Sequence, residues 1–214
     1  MNLRITGALL VVAEALFWIS WVLMPGVGVT DTMVIFALVG QSRANVFASV
    51  VLQLVSAAAF APALVGIEAA STSRLSRAGT VLLLVGAMGS AAGAIFHLVA
   101  YEMTAPGIDL ASVAPIMRRL QGPGLGLLLP FVLAFFTGHA FLASALRKRG
   151  PSARVGAWTL ALSPLVIVVG APSVHAGLIA GRIVGLAFLA AVSSSLALTG
   201  AGWFAAPPRS LSNR

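Results

Sequence analysis

Six apolar stretches of about membrane-crossing length run through the 214-residue chain and leave it essentially one kind of fold. They cover about residues 5–24, 45–67, 78–101, 123–146, 155–171 and 182–204. A helix needs roughly 20 apolar residues to cross a hydrocarbon core about 30 Å thick. In lipid, every backbone N–H and C=O must find its partner within its own segment, which a helix achieves and an open loop does not. The expected architecture is an all-α integral membrane protein, a bundle of six transmembrane helices forming one domain over residues 1–214. Composition agrees: charged residues make up 8% of the chain, against about 25% in a soluble domain.

The loops set an expected orientation. Nine of the 13 basic residues (Arg4, Arg74, Arg77, Arg147, Lys148, Arg149, Arg154, Arg209 and Arg214) fall on the side of the N-terminus; Arg43, Arg118, Arg119 and Arg182 fall on the other. Cytoplasmic loops carry the excess of Lys and Arg, so both termini are expected in the cytoplasm and the chain in a bacterial-type inner (plasma) membrane. The net charge of +8 therefore reports orientation, and no nucleic-acid partner is expected. The first stretch is too long for a signal peptide, carries Glu14 and lacks a small-residue cleavage site before Pro25; it reads as a retained span. The chain has no cysteine, which excludes disulfides, thiolate chemistry and cysteine-held metal.

Elaboration is expected on the outer side. Residues 25–44 contain the apolar run Met33–Val39, read as a short interfacial or re-entrant helix, and residues 102–122 hold Asp109, Pro115 and the Arg118–Arg119 pair, read as including an amphipathic turn or two.

Glu14 is the one charged residue inside 5–24. A carboxyl at bilayer depth is costly and usually faces a protein interior or a cavity. Glu14, Trp18 and Trp21 share a helix face at i, i+4 and i+7, with Trp21 in the aromatic belt. On the second span Asn45, Ser49, Gln53 and Ser56 form a polar stripe. Counted from the outer helix ends, Glu14 and Gln53 differ in depth by only about 3 Å, so a hydrogen bond between them is expected. Two readings stand: a midplane site for a polar group or a proton, or a protonated carboxyl acting as interhelical glue.

A second cluster is expected near the outer leaflet, where His97 and Tyr101 share a face at i, i+4 and Arg43, His175 and Arg182 lie at similar depth. It suits an anionic or zwitterionic ligand or a lipid headgroup, or else is a scatter of interfacial residues satisfied by water. His139 lies deep in the fourth span, about 18 Å from the level of His97. A haem held by that pair is not expected, and three histidines at three depths do not make a zinc site; the cofactor stays unknown.

Gly177, Gly181 and Gly185, and Gly86, Gly89 and Gly93, are spaced for close helix packing. They serve the bundle, a homo-oligomer or a larger membrane complex equally well. Ser193–Ser195 either line a polar pocket or bond their own backbone carbonyls. Pro123, Pro130 and the glycines between residues 122 and 126 predict an irregular start to the fourth span. The only lysine is Lys148, in a loop, and GxSxG, HExxH and P-loop motifs are missing.

The favoured reading is a protein that binds or transports a small or lipid-like ligand through an outward-facing pocket. Its candidate ligand-binding residues are Glu14, Trp18 and Gln53 at depth and His97, Tyr101 and Arg182 at the mouth. The alternatives are a non-catalytic accessory subunit of a membrane complex, and an enzyme acting on a lipid-like substrate through His97 and Glu102. Membrane lipids are expected partners throughout.

Overall fold

Helices begin where a short polar side chain can take up free backbone N–H groups. Asn2 caps α1 (Leu3–Leu23), Asp31 caps α2 (Thr32–Gln41), Ser73 caps α4 (Arg74–Met103) and Asp109 caps α5 (Leu110–Arg119). Between and after them lie α3 (Arg43–Ala70), α6 (Leu125–Leu146), α7 (Pro151–Val174) and α8 (Leu178–Ala205). The computed structural model describes residues 2–71, 73–174 and 178–205, with side chains undescribed at 125, 171–174 and 178–180. His175, Arg209 and Arg214 therefore lie outside the described residues, as does Gly177.

Six of these helices, α1, α3, α4, α6, α7 and α8, are long and apolar enough to cross a membrane, as the six apolar stretches require. Around the bundle each packs on its ring neighbours in the order α1, α3, α4, α6, α7, α8 and back to α1. The seam between α6 and α7 is the thinnest. Large apolar side chains such as Val65, Val81, Leu127, Trp158 and Val169 are exposed, which is what a lipid-facing surface needs. The start of α1, the α3–α4 and α6–α7 turns and the end of α8 meet at one face, called here the terminal face. Helices α2 and α5 decorate the opposite, loop face. The run expected as a short helix is α2, and α5 is the strongly amphipathic helix of the chain, the pattern of a segment lying at an interface.

Small residues bring the helices close. A Cβ on Gly200 of α8 would sit 2.6 Å from the Gly7 carbonyl of α1, and one on Gly138 of α6 would sit 2.5 Å from the Leu83 nitrogen of α4. On the expected glycine faces, Gly86 and Gly89 do pack against α6, whereas nothing lies within 4 Å of a Cβ on Gly93.

The prolines are accommodated locally. Pro164 does not end α7, which runs past both limits of the 155–171 stretch. Proline withholds the N–H that would bond the carbonyl four residues back; Ser163 Oγ donates to that carbonyl, Leu160 O, at 2.8 Å. The irregular start expected for the fourth span is a π-helical turn, Leu120–Gly124.

Candidate functional site

Two polar clusters lie inside the bundle at different levels. The deeper one centres on Glu14, which is fully buried on α1. Its Oε1 lies 2.9 Å from Nε2 of His139 on α6, which is also fully buried. His139 Nδ1 lies 2.9 Å from the Phe135 carbonyl. A carbonyl only accepts, so Nδ1 carries a proton and the link to Glu14 shares one more between acid and base. Phe135 and Phe60 box the imidazole, with ring centroids 4.4 and 6.4 Å away. Ser193 of α8 is the remaining polar neighbour of the carboxyl, yet Glu14 Oε2 and Ser193 Oγ both stay buried without completing a hydrogen bond. One turn away, Ser56 Oγ donates to the Ala13 carbonyl at 2.7 Å and ties α3 to α1.

The expected Glu14–Gln53 bond does not form. Gln53 instead turns toward the loop face, where its Nε2 donates to His97 Nδ1 at 3.4 Å and approaches Ser49 Oγ at 3.5 Å. An amide nitrogen donates only, so His97 Nδ1 accepts and the ring proton sits on Nε2. Of the polar stripe on α3, Ser49, Gln53 and Ser56 are buried and Asn45 is exposed.

Gln53 and His97 line a cavity of about 460 Å³ between α1, α4 and α6, beneath the 26–29 loop and α2. Its walls are mostly apolar, from Phe17, Met24, Phe96, Leu128, Val132 and Phe136 among others, and no charged side chain lines it. Leu129 and Val132 line it while also being exposed on the bundle surface, so it communicates with the bundle's surroundings beside α6. Trp21 lines it too. Its indole N–H is buried without a partner, and its ring meets His97 edge-on at 5.6 Å. A buried N–H left unpaired at a cavity wall is a donor available to an occupant.

The floor separates the two clusters. Phe17 and Phe135 lie with ring centroids 4.7 Å apart. Both line the cavity, whereas Glu14 and His139 do not. The cavity therefore stops about one helical turn short of the carboxyl.

The other sequence-predicted residues are spread around this arrangement. Trp18 faces α8 and donates its indole N–H to the Leu186 carbonyl at 3.1 Å. Arg182 donates to the Val22 carbonyl at 2.7 Å and ties α8 to the end of α1. Tyr101 lies under Arg43, whose guanidinium carbon is 3.8 Å from the ring centroid and which also bonds the Tyr101 carbonyl and Thr104 Oγ1. Of the six, the structure brings together Gln53 and His97 only. The sequence reading passed over Trp21 as a belt residue and His139 as an unmatched histidine. Among the described residues, no three His, Asp or Glu side chains converge as a metal-ligand set. No protein-family model, curated protein or solved structure matches the chain.

Proposed function

We propose that this membrane protein binds an uncharged, largely apolar small molecule, of lipid-like character and bearing one hydrogen-bonding group, in the cavity between α1, α4 and α6. The observation that carries this reading is the lining itself. A pocket of about 460 Å³ falls within the 300–1,000 Å³ range usual for small-molecule sites. It offers apolar walls, N–H donors on Trp21 and His97, and the Gln53 carbonyl as an acceptor. With no charged wall residue, a charged ligand would lose its hydration without compensation. A hydroxyl or amide group matches the donors and acceptor. The surface-exposed edge at Leu129 and Val132 supports entry from the lipid phase.

On this reading Gln53 and His97 touch the ligand. Glu14, with His139, fixes α1 against α6 beneath the floor, while Trp18, Tyr101 and Arg182 hold the frame. Binding is the first step of carrying such a molecule across or out of the membrane. The charge asymmetry supports cytoplasmic termini and a plasma-membrane location: described basic residues on the terminal face number seven against the single acid Glu68, and those on the loop face four against three.

The test uses a brominated long-chain alcohol as probe, with Trp21 as reporter after Trp18, Trp158 and Trp203 are replaced by phenylalanine. Saturable quenching is expected, weakened about fivefold to tenfold by Gln53→Leu or His97→Leu, the loss of one hydrogen bond. A brominated quaternary amine should not quench. Non-saturable quenching, unchanged by both substitutions, would remove the binding reading and leave the accessory-subunit alternative.

A further inference from the structure

We infer that the terminal face carries a second, separate binding site, for the phosphate headgroup of an anionic phospholipid. A cavity of about 490 Å³ opens there between the ends of α1, α3, α6, α7 and α8. Arg4 and Arg149 stand at its wall beside Trp203, Leu146 and Leu3. It thus joins two cationic groups to an apolar lining, the pairing an amphiphile with a charged head requires. Neither Arg4 nor Arg149 forms an ion pair with a carboxylate among the described residues.

Arg149 is held in place for this task. One N–H of its guanidinium donates to the Ala70 carbonyl at 2.7 Å, across the gap between the end of α3 and the α6–α7 turn. A guanidinium has five N–H donors in a fixed fork suited to phosphate oxygens, so that anchor leaves donors for a ligand. The surroundings reinforce the choice of an anion. Arg74, Arg77, Arg147, Lys148 and Arg154 belong to the same face, and Glu68 is its one acid among the described residues. Basic pockets between membrane helices on such a face take anionic headgroups, and each basic group near an anionic surface contributes about 1 kcal/mol. The loop face has no equivalent: Arg43 is committed to Tyr101 and Thr104, and Arg182 to Val22.

The experiment places the full chain in nanodiscs of equal parts phosphatidylglycerol and phosphatidylcholine, extracts it gently and counts retained lipids by native mass spectrometry. Phosphatidylglycerol should be retained in clear preference to phosphatidylcholine. Arg4→Gln and Arg149→Gln should each reduce its retention about fivefold, while Arg149→Lys keeps most of it. Arg118→Gln with Arg119→Gln on the loop face should leave retention unchanged. Equal retention of the two lipids, or a loop-face variant that loses as much as Arg149→Gln, would overturn the site. So would displacement of the lipid by millimolar inorganic phosphate alone, which would assign the pocket to a free anion. Loss in Arg149→Lys as complete as in Arg149→Gln would reduce Arg149 to a packing role and overturn it as well.

Discussion

Gln53 with His97, and Glu14 with His139, each set a polar side chain against an imidazole, about one and a half helical turns apart along the bundle. Only the first pair touches a cavity. The second is sealed by Phe17 and Phe135 and boxed by Phe60. The difference is one of access and of charge. The open pair is neutral and leaves hydrogen-bonding capacity pointing into space. The closed pair contains an acid, and its chemistry is used up internally: His139 spends one nitrogen on the Phe135 carbonyl and the other on Glu14. A buried acid and base stabilise each other only while both are present, because removing one leaves the other unpaired in an apolar interior. The upper pair is therefore suited to exchange partners, and the lower pair to hold them.

The sharpest way to break this division is Phe135→Ala. It removes the floor, the ring beside His139 and part of the main apolar core. A loss of about 3–5 kcal/mol is expected, read as a lowered denaturation midpoint in detergent, together with quenching of Trp21 by water-soluble quenchers that do not reach it in the parent protein. Next comes Glu14→Ala, which strands His139 and should cost about 3 kcal/mol. Glu14→Gln, whose amide still donates to Nε2, should recover all but about 1 kcal/mol of that. Equal losses for Ala and Gln would show that the pair is not acting through its hydrogen bond. His97→Leu should change the midpoint by less than about 0.5 kcal/mol while weakening probe binding; a large stability loss would make the upper pair structural as well. The smallest effect is expected for Trp21→Phe, which deletes the unpartnered N–H and keeps an aromatic wall. Probe affinity, followed by displacement of a tritiated alcohol, should fall about fivefold with no change in stability.

Much of the fold could be read from the sequence because lipid imposes a simple rule on it. Each stretch of apolar residues became a helix, and even Pro164 in α7 and Pro130 in α6 did not interrupt them. The site was legible only in part. Glu14 and Gln53 looked depth-matched when counted from the outer helix ends, but those ends are not flush, since the fourth span continues outward through a π-helical turn. Counted from the terminal face, Glu14 lies 11 residues into α1 and His139 seven from the end of α6, a difference of about 6 Å. Helix tilt and side-chain reach close it. The tryptophans exchanged roles for a similar reason. At about 100° per residue, Trp21 falls between Glu14 and Phe17 on the inward face of α1, whereas Trp18 falls on the other side of Glu14, toward α8. The sequence names the stripe; neighbouring helices decide which edge of it faces inward. The closure of the floor, made by two phenylalanines on different helices, has no signature along the chain.

Phe135 belongs to both compartments at once. Its ring is cavity wall and floor, while its carbonyl orients the histidine that holds Glu14. A substitution there cannot reshape the pocket without also disturbing the seal above the acid–base pair. Mutational freedom in this protein is therefore unevenly distributed around one small space. Leu128, Leu129 and Val132 line the same cavity without touching the lower pair, so variants that accept ligands of a different shape are to be sought at those three positions.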